Sequence, residues 1–378
     1  MKVLADENIP FVKEAFADFG FVRTVPGREI TRGLVENSGI LLVRSITRVD
    51  QELLEASTVR FVATATIGTD HVDENYLRQN SIGFASAPGC NADSVAEYVL
   101  SALFHLAQKN NYALQSMTLG IVGVGNVGSR VLKRAQALGI SCLLCDPPKR
   151  RLSGSDIYLS LDDVLAQSDI VTVHVPLIMN GPEATYHMID AGFIDKMKQG
   201  AVLINTSRGS VADEQSMRAG VSKLGALVLD VWENEPAISL QTMKLADIAT
   251  PHIAGYSFEG KMKGAGMIYQ AACSYFFKDA SWSSTQALEG EQRKVIFAED
   301  KHDPVSAAVM QAYPVMNDDT ELRKIAQIDT FEQGAYFDSL RKNYPVRREF
   351  TNFDVHTGKE SNPIKRKQLE ALGFSVVE

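Results

Sequence analysis

Short apolar runs alternate with helix-like segments through the first hundred residues of the chain. The runs are continuously apolar, as is typical of strands that are buried on both faces of a parallel sheet. They cover residues 3–5, 40–43 and 61–66, and segments with helical spacing lie between them at 10–19 and 50–57. This alternation predicts a small flavodoxin-like α/β domain built on a parallel sheet.

The same alternation resumes after a strongly helical segment at 92–109. Six further apolar runs follow, which is the strand complement of a doubly wound dinucleotide-binding sheet. The predicted strands are 119–122, 141–145, 170–174, 201–205, 226–229 and 248–249. A helix-like run at 259–277 comes next, and we expect it to return to the first domain, making that domain discontinuous.

The composition changes from residue 287 onward, where Phe and Tyr are mixed with charged residues and no second glycine-rich fingerprint occurs. Enough apolar residues remain for this tail to fold, so a small α+β domain is expected. We therefore predict three domains. They are a substrate-binding lid domain of residues 1–98 and 255–286, a dinucleotide-binding domain of 99–254, and a C-terminal domain of 287–378.

A glycine-rich turn follows the first of the six strands. Gly123, Gly125 and Gly128 form G-x-G-x-x-G, in which the first glycine permits a tight turn, the second lets the backbone approach a pyrophosphate, and the third allows close helix packing. Asp146 ends the next strand, where a carboxylate meets the adenine ribose. That carboxylate repels a 2′-phosphate, so the cofactor is predicted to be NAD, although the basic run at 149–151 works against strict selectivity.

Composition and charge narrow the class of protein. The 378 residues are 45% hydrophobic and 22% charged, which is ordinary for a globular chain of several domains. A net charge of −8 argues against nucleic-acid binding. No apolar run approaches the ~18–20 residues of a membrane span, and acidic residues occur too early for a signal peptide. We expect a cytoplasmic protein with neither a nucleic-acid nor a membrane partner.

The cysteines do not predict a metal site. Cys142 and Cys145 are spaced like a pair of metal ligands, but no second pair stands nearby to complete four ligands. Residues three apart on a strand also face opposite sides of the sheet. Buried thiols are therefore expected, without a metal and without a disulfide framework.

Three consecutive strand ends carry residues that are suited to acid–base chemistry. Arg208, Glu235 and His252 each follow one of the last three predicted strands, and doubly wound sheets bind ligands at the carboxyl ends of their strands. Taken singly, each residue has an ordinary explanation as a surface charge, a helix start or a structural histidine. Their shared position beside a nucleotide fingerprint predicts a common catalytic role.

These motifs resemble the D-isomer-specific 2-hydroxyacid dehydrogenase family over about residues 40 to 275. Besides the glycine fingerprint, the similar motifs are Pro-Gly-Cys-Asn-Ala at 88–92, His-Val-Pro-Leu at 174–177, Arg-Gly at 208–209, Glu-Pro at 235–236 and Thr-Pro-His at 250–252. The resemblance implies an NAD-dependent oxidoreductase that transfers a hydride from C2 of a 2-hydroxy acid.

The chemistry of that reaction assigns a role to each of the three residues. Oxidising an alcohol requires a base for the hydroxyl proton, and an imidazole suits neutral pH, so His252 is the candidate base. Glu235 would hold the other ring nitrogen, and Arg208 would bind the substrate carboxylate with its planar fork. The resemblance implies the same three roles. It also implies that Asp230 faces the nicotinamide carboxamide, and that further residues line the cofactor: Asn126, Val127, Val175, Ser207 and Gly255.

Three further features resemble one branch of this family, whose members act on a phosphorylated 2-hydroxy acid and form homodimers through a C-terminal domain. The features are Ala-Asp-Glu-Asn-Ile-Pro at 5–10, His-Ile-Ala-Gly-Tyr at 252–256, and a tail with Phe-Glu at 331–332 and Tyr-Pro-Val-Arg-Arg-Glu at 344–349. This resemblance implies that Ser45, Thr66 and Tyr256 contact the substrate.

A phosphate group on the substrate requires a basic subsite. Arg44 and Arg48 are candidates from the first domain, and Arg347 with Arg348 are candidates from the tail, either within one chain or from a partner subunit.

Two other functions stay open on the sequence alone. The same machinery could act on another phosphorylated 2-hydroxy acid, such as 3-phosphoglycerate. A non-catalytic protein that senses NAD and interacts with a partner is the second alternative, because intact Arg208, Glu235 and His252 favour catalysis without excluding it.

Overall fold

The computed structural model describes residues 1–288, 292–298, 303–358 and 362–377. The chain divides into two compact units. The first consists of residues 1–91 and 257–292, and the second of residues 92–256 and 293–378.

The first unit contains a five-stranded parallel sheet in the order β2-β1-β3-β4-β5. Its strands are β1 (Lys2–Asp6), β2 (Phe21–Val25), β3 (Ile40–Val43), β4 (Phe61–Thr64) and β5 (Gly83–Ala85). Its helices are Val12–Ala15, Arg32–Val35, Gln51–Leu54, Glu74–Gln79 and Phe258–Tyr275. This strand order is that of flavodoxin, and the long helix Phe258–Tyr275 belongs to the same unit. The expectation of a discontinuous flavodoxin-like domain is therefore confirmed.

Two of these strands were not predicted from the sequence. β2 lies at the edge of the sheet and is mostly exposed or half-buried, so it lacks the continuous apolar run of a central strand. β5 lies at the other edge and has only three residues, including Gly83. Edge strands bury fewer side chains, and their sequence signal is correspondingly weak.

The second unit is built on a six-stranded parallel sheet in the order β11-β10-β9-β8-β6-β7. Its strands are β6 (Thr118–Val122), β7 (Ser141–Cys145), β8 (Ile170–Val173), β9 (Val202–Asn205), β10 (Ala226–Leu229) and β11 (Ile248–Ala249), which confirms all six predicted strands. The neighbours of β6 are β7 on one side and β8 on the other, so the direction of winding reverses there. Ligands bind at such a switch point, and the glycine-rich turn follows β6.

Helices cover both faces of this doubly wound sheet, as predicted. They are Ala92–Asn110, Asn126–Ala137, Pro147–Ser153, Leu161–Gln167, Ala191–Lys196, Glu214–Gly220 and Leu240–Leu245. The helix Ala92–Asn110 is buried along most of its length and shares a core with Leu119 and Ile121 of β6.

The tail forms a separate three-stranded parallel sheet in the order β12-β13-β14. Its strands are β12 (Lys294–Phe297), β13 (Phe353–His356) and β14 (Ser375–Val377), and its helices are Pro304–Ala312, Val315–Arg323, Gln333–Lys342 and Pro363–Leu372. Helices separate these parallel strands along the chain. Strands and helices therefore alternate, whereas an α+β domain was expected. Because contacts group this segment with the nucleotide-binding sheet, the three-domain division stays a prediction.

The C-terminal segment covers the edge of the six-stranded sheet. Asp319 accepts a hydrogen bond from the backbone N–H of Ala249 in β11 at 2.8 Å. Arg323 donates to the carbonyls of Met243 and Ala246. An exposed strand edge would offer unpaired backbone groups; here Asp319 pairs one N–H of the edge strand, and Arg323 binds carbonyls at the C-terminal end of the helix Leu240–Leu245.

Across the described ranges, no helix is long and apolar enough to cross a membrane.

Candidate active site

The glycine-rich turn has a different constraint at each of its three glycines. Gly123 has a positive φ of 86°, and a Cβ there would lie 2.6 Å from the carbonyl oxygen of His174. A Cβ on Gly128 would lie 2.1 Å from the carbonyl oxygen of Gly123. A Cβ on Gly125 would meet no protein atom within 4 Å. The chain itself therefore requires the first and third glycines, whereas the second leaves open space for a ligand.

The helix Asn126–Ala137 begins directly in this turn, with Gly125 at its N-cap and no side-chain cap. The first backbone N–H groups of the helix, from Asn126, Val127 and Gly128, thus have no side-chain oxygen in front of them. A helix start of this kind binds anionic groups through its N–H donors and its dipole. The arrangement suits the pyrophosphate of a dinucleotide.

Asp146 lies next to the glycine-rich turn. Its carboxylate accepts hydrogen bonds from the backbone N–H of Val124 at 2.9 Å and of Lys149 at 3.0 Å. The Lys149 ammonium donates to the carbonyl of Val124, so this cation is already bound to the turn. A fixed carboxylate at the end of β7 is the feature that favours a ribose hydroxyl over a 2′-phosphate.

His174 directly follows strand β8, and two hydroxyl groups hold its ring. Its Nε2 lies 2.9 Å from Oγ1 of Thr172, and its Nδ1 lies 3.2 Å from Oγ1 of Thr206. Burial lowers the pKa of His174 to about 3, so the ring is neutral at physiological pH. The sequence motif identified His174 and Val175 without giving His174 a role, and the structure shows that it ties β8 to the loop after β9.

The loop that carries Arg208 is folded around the side chain of Asn205. The Oδ1 atom of Asn205 accepts from the backbone N–H of Ser207 at 3.0 Å and from its hydroxyl at 2.7 Å. A Cβ on Gly209 would lie 1.8 Å from the carbonyl oxygen of Trp232. Only glycine fits there, and this close approach fixes the Arg208 loop against the loop after β10.

Asp230 anchors the loop that carries His252. The carboxylate is buried and accepts from the Thr250 hydroxyl at 2.7 Å, the Ile253 N–H at 2.8 Å and the Ala254 N–H at 2.9 Å. The Thr250 hydroxyl in turn lies 2.7 Å from the hydroxyl of Tyr98. The position that the resemblance assigned to the cofactor therefore also holds the chain on both sides of His252.

His252 and Glu235 form a hydrogen-bonded pair. Nδ1 of His252 lies 2.7 Å from Oε2 of Glu235, whose Oε1 accepts from the backbone N–H of Trp232 at 2.9 Å. Their side chains are 28% and 19% exposed, so a ligand can reach the pair. His252 also has a positive φ of 57°, which is rare outside glycine. This geometry leaves Nε2 of His252 to exchange a proton with a ligand.

The pair is electrostatically matched. Burial alone would raise the pKa of Glu235, but interaction with His252, and then the positive charge of Arg341 and the Trp232 N–H, lower it below its usual range. Glu235 is therefore ionised at neutral pH. An ionised carboxylate at Nδ1 holds the ring in one orientation and stabilises the imidazolium.

A second pair of the same kind was not anticipated. Nε2 of His187 lies 2.7 Å from Oε1 of Glu233, and the backbone N–H of His187 donates to the carbonyl of Ser210. The two partners are far apart in sequence and lie in no motif, so no sequence signal pointed to them. The pair supports the loop after Arg208.

Tyr256 lies at the end of the His252 loop, after Gly255, and its backbone N–H donates to the carbonyl of Ile253. Its ring packs edge-on against Tyr344 at a centroid distance of 5.8 Å. Arg341 lies over the same ring, with its Cζ 5.7 Å from the centroid. Two residues of the tail thus contact a predicted substrate-binding side chain.

The predicted substrate residues of the first unit lie where two neighbouring strands end. Arg44 and Ser45 follow β3, and Thr66 follows β4. The Thr66 hydroxyl bonds to Thr64 at 2.7 Å and to the carbonyl of Gly68 at 3.2 Å. These residues therefore lie together at the carboxyl ends of two neighbouring strands.

The structure does not support the expectation that Arg347 contacts a substrate phosphate. Its guanidinium is buried, donates to the carbonyls of Ala254 and Ser94, and stacks over Tyr313 with Cζ 3.8 Å from the ring centroid. The adjacent Arg348 is also buried and donates to the side chain of Asn352. A buried arginine lowers its free energy by binding carbonyl oxygens, so these residues serve as supports of the tail.

Within the described ranges, no group of three or more His, Cys, Asp or Glu side chains could hold a metal ion. The cysteines in those ranges are free thiols, and burial raises the pKa of Cys142 and of Cys145 to about 11.

Comparison with known proteins identifies the class of this fold and site. Residues 97–254 match the family described as D-isomer specific 2-hydroxyacid dehydrogenase, NAD binding domain, and residues 295–373 match a domain of unknown function. The D-lactate dehydrogenase of Aquifex aeolicus, solved with NAD and lactic acid, superposes with a TM-score of 0.61 at 26% identity, over 73% of this chain and 96% of that one. The NAD⁺-bound 3-phosphoglycerate dehydrogenase of Entamoeba histolytica shares the fold, with a TM-score of 0.64 at 22% identity over 75% and 98% of the two chains. The fold and cofactor are thus those of an NAD-dependent dehydrogenase.

Curated sequences give a narrower relationship. The chain is 45% identical to the erythronate-4-phosphate dehydrogenase of Chromohalobacter salexigens, over 100% of this chain and 99% of that protein. It is 44% identical to the enzyme of the same name from Salinibacter ruber, over 94% of each chain. The chain therefore belongs to the erythronate-4-phosphate dehydrogenases, a branch of the D-isomer-specific 2-hydroxyacid dehydrogenase family. The resemblance noted in the sequence and the NAD cofactor are confirmed.

The three glycines predict two different mutant phenotypes. Gly125→Ala should keep the thermal midpoint within about 2 °C while raising the NAD dissociation constant at least roughly tenfold, because the new methyl group occupies the space open to the pyrophosphate. Gly128→Ala should lose about 1–3 kcal/mol of stability, because its Cβ cannot fit beside the Gly123 carbonyl. Calorimetry measures both quantities, with Gly33→Ala, another glycine with open space around its Cβ, as the control. Unchanged NAD binding by the Gly125 variant would contradict this assignment.

Proposed function

We propose that this enzyme oxidises erythronate 4-phosphate at C2 to the 2-oxo acid, with NAD as the hydride acceptor and His252 as the base. The observation that carries the proposal is the 2.7 Å pair of His252 and Glu235 on the strand-end rim of the NAD-binding sheet. Identity of 45% to an erythronate-4-phosphate dehydrogenase over the whole chain supports this particular substrate. The reaction would contribute to pyridoxal 5′-phosphate biosynthesis in the cytoplasm.

In this mechanism Nε2 of His252 takes the proton of the C2 hydroxyl and later returns it to solvent. NAD held at the glycine-rich turn would supply the hydride acceptor, so that the overall products would be the 2-oxo acid, NADH and a proton. Glu235 is ionised beforehand and stabilises the positive charge that forms on His252. The reverse reaction would use the imidazolium as the proton donor.

Arg208 is proposed to bind the substrate carboxylate and to polarise the C2 oxygen. Its Nη1 donates to the carbonyl of Ser207 at 2.8 Å, and the fixed loop around Gly209 limits its reach. A guanidinium presents parallel donors to a carboxylate, which a lysine cannot. Asp230, Ser207, Val175 and Gly255 remain proposed cofactor contacts.

The rest of the substrate is assigned to residues at the strand ends of the first unit and to Tyr256. Ser45 and Thr66 offer hydroxyl groups to the substrate hydroxyls, and Arg44 is the proposed phosphate ligand. Arg48 is a second candidate; it pairs with Asp50 at 2.8 Å, and its side chain is 84% exposed. A full charge on the phosphate requires at least one such cation.

Substrate choice is tested by NADH formation at 340 nm with erythronate 4-phosphate, 3-phosphoglycerate and D-lactate at equal concentration, with a carbonyl trap to draw the reaction forward. We expect a kcat/KM for erythronate 4-phosphate on the order of 100-fold or more above the other two, because a site that binds a phosphate and two hydroxyls leaves polar groups unpaired with a smaller acid. A preference for 3-phosphoglycerate would overturn the substrate assignment. No turnover of any acid by an NAD-binding protein would instead favour the sensing alternative.

The two His–Glu pairs provide a matched test of the catalytic assignment. Glu235→Gln should lower kcat by ~10²- to 10⁴-fold, because the amide no longer stabilises the imidazolium. Glu233→Gln removes the equivalent carboxylate from His187 and should stay within roughly threefold of the wild type. In the wild type, kcat/KM for oxidation should rise with pH, because the base must accept a proton and Glu235 is already ionised. Equal loss in both variants would contradict the assignment.

We also propose that the chain forms a homodimer through its C-terminal domain. β12 is an edge strand of the three-stranded sheet, and its side chains Val295 and Phe297 are 53% and 63% exposed. Exposed apolar residues on a strand edge favour pairing with another chain.

Light scattering at micromolar concentration should give twice the 41.4 kDa mass of the chain. Phe297→Asp should shift the protein to the monomer by at least roughly tenfold in dissociation constant, because it puts a charge into the apolar contact. Phe277→Asp changes an aromatic residue that is 97% exposed and lies outside this domain, so it should remain dimeric. A monomeric wild type would refute the proposal.

A further inference from the structure

Arg341 brings a positive charge from the tail to the His252 loop. It lies in the last turn of the helix Gln333–Lys342. Its guanidinium is positioned over the ring of Tyr256, with Cζ 5.7 Å from the centroid. This cation–π contact fixes the tyrosine relative to the helix.

The same guanidinium acts on the catalytic carboxylate. The charge of Arg341 is one of the causes that lower the pKa of Glu235. Tyr256 and Glu235, in turn, raise the pKa of Arg341 despite its burial. His252 also acts electrostatically on Glu235, and Asp338 acts on Arg341. Asp338 lies one turn earlier on the helix of Arg341.

Arg341 is not fully satisfied by its protein contacts. Among the described residues, its Nε is buried and has no hydrogen-bond partner. Burying a guanidinium with an unpaired N–H is costly. A residue that served only to attach the helix would do so at lower cost with an apolar side chain, as the buried Phe337 of the same helix does.

We propose that Arg341 is a positioning residue of the active site, which holds the Tyr256 side chain in place at the end of the His252 loop. The proposal rests on the function proposed above. It assigns the C-terminal domain a direct part in catalysis, in addition to its proposed part in dimerisation.

Two separable effects follow from this role. A cation that acts on Glu235 disfavours the positive charge that forms on the base during oxidation, so removing it should move the rising limb of kcat/KM to higher pH. Loss of the contact with Tyr256 should instead raise KM, since that side chain is a proposed substrate contact.

The test compares Arg341→Met with Arg341→Lys. In Arg341→Met we expect kcat/KM to fall on the order of tenfold, and its rising limb to move up by about half a pH unit. Arg341→Lys keeps the charge but not the planar stacking group. The rising limb of kcat/KM should therefore return to its wild-type pH, while KM stays raised. Lys324→Met is the control for loss of a tail cation, because Lys324 is exposed and pairs with Glu321.

A second measurement does not depend on turnover. Calorimetric binding of erythronate 4-phosphate should weaken on the order of tenfold in Arg341→Met, because Tyr256 is no longer held in place. Unchanged binding and an unchanged KM in the folded variant would overturn the proposal. If Arg341→Met fails to fold, a wild-type KM in Arg341→Lys would overturn it. An inactive wild type that binds erythronate 4-phosphate, with weaker binding in Arg341→Met, would reject the proposed function and retain the role of Arg341.

Discussion

The backbone of Ala254 is held from both sides, and the geometry of the active site depends on that restraint. Asp230 accepts from the Ala254 N–H, and Arg347 donates to the Ala254 carbonyl. The chain immediately before it bends through the positive φ of His252. Backbone in that region costs free energy unless the surroundings enforce it. A buried carboxylate and a buried guanidinium supply the enforcement, and the imidazole meets Glu235 at 2.7 Å as a result.

The tail is therefore more than an appendix to the nucleotide-binding sheet. Its Arg347 and Glu349 are buried together with Glu97 of the helix Ala92–Asn110, and Ser94 donates to Glu349. Burial and the neighbouring Glu349 raise the pKa of Glu97 to about 8, against the opposing charges of Arg347 and Arg134. Buried ionic groups contribute little net stability and more to a unique arrangement. We infer that this cluster fixes how the tail packs beneath the His252 loop.

The sequence predicted the sheet of the second unit well because its strands are buried on both faces and leave continuous apolar runs. The turn at Gly123 was equally predictable from the sequence, because the backbone leaves no room for a Cβ atom at two of its positions. The edge strands β2 and β5 were missed because they bury few side chains.

The functions of individual arginines were hard to predict for a related reason. Arg347 and Arg341 carry the same side chain within one short segment, yet one binds backbone carbonyls and the other approaches Tyr256 and Glu235. Long-range contacts decide that difference, and no local pattern records them. The contact between His187 and Glu233 was not predicted for the same reason.

The two hydrogen bonds that hold the Ala254 backbone also determine which function the enzyme loses first when its structure loosens. The backbone atoms packed against the Gly123 turn belong to Cys145 at the end of β7 and to His174 after β8, whereas the tail helix Pro363–Leu372 contacts the following helix near its C-terminal end at Leu138. The His252 loop, by contrast, shares its restraint with the tail. Heat or denaturant that loosens the tail first would therefore leave a protein that still takes up NAD but no longer aligns its base, so that cofactor occupancy would overstate the fraction of working enzyme.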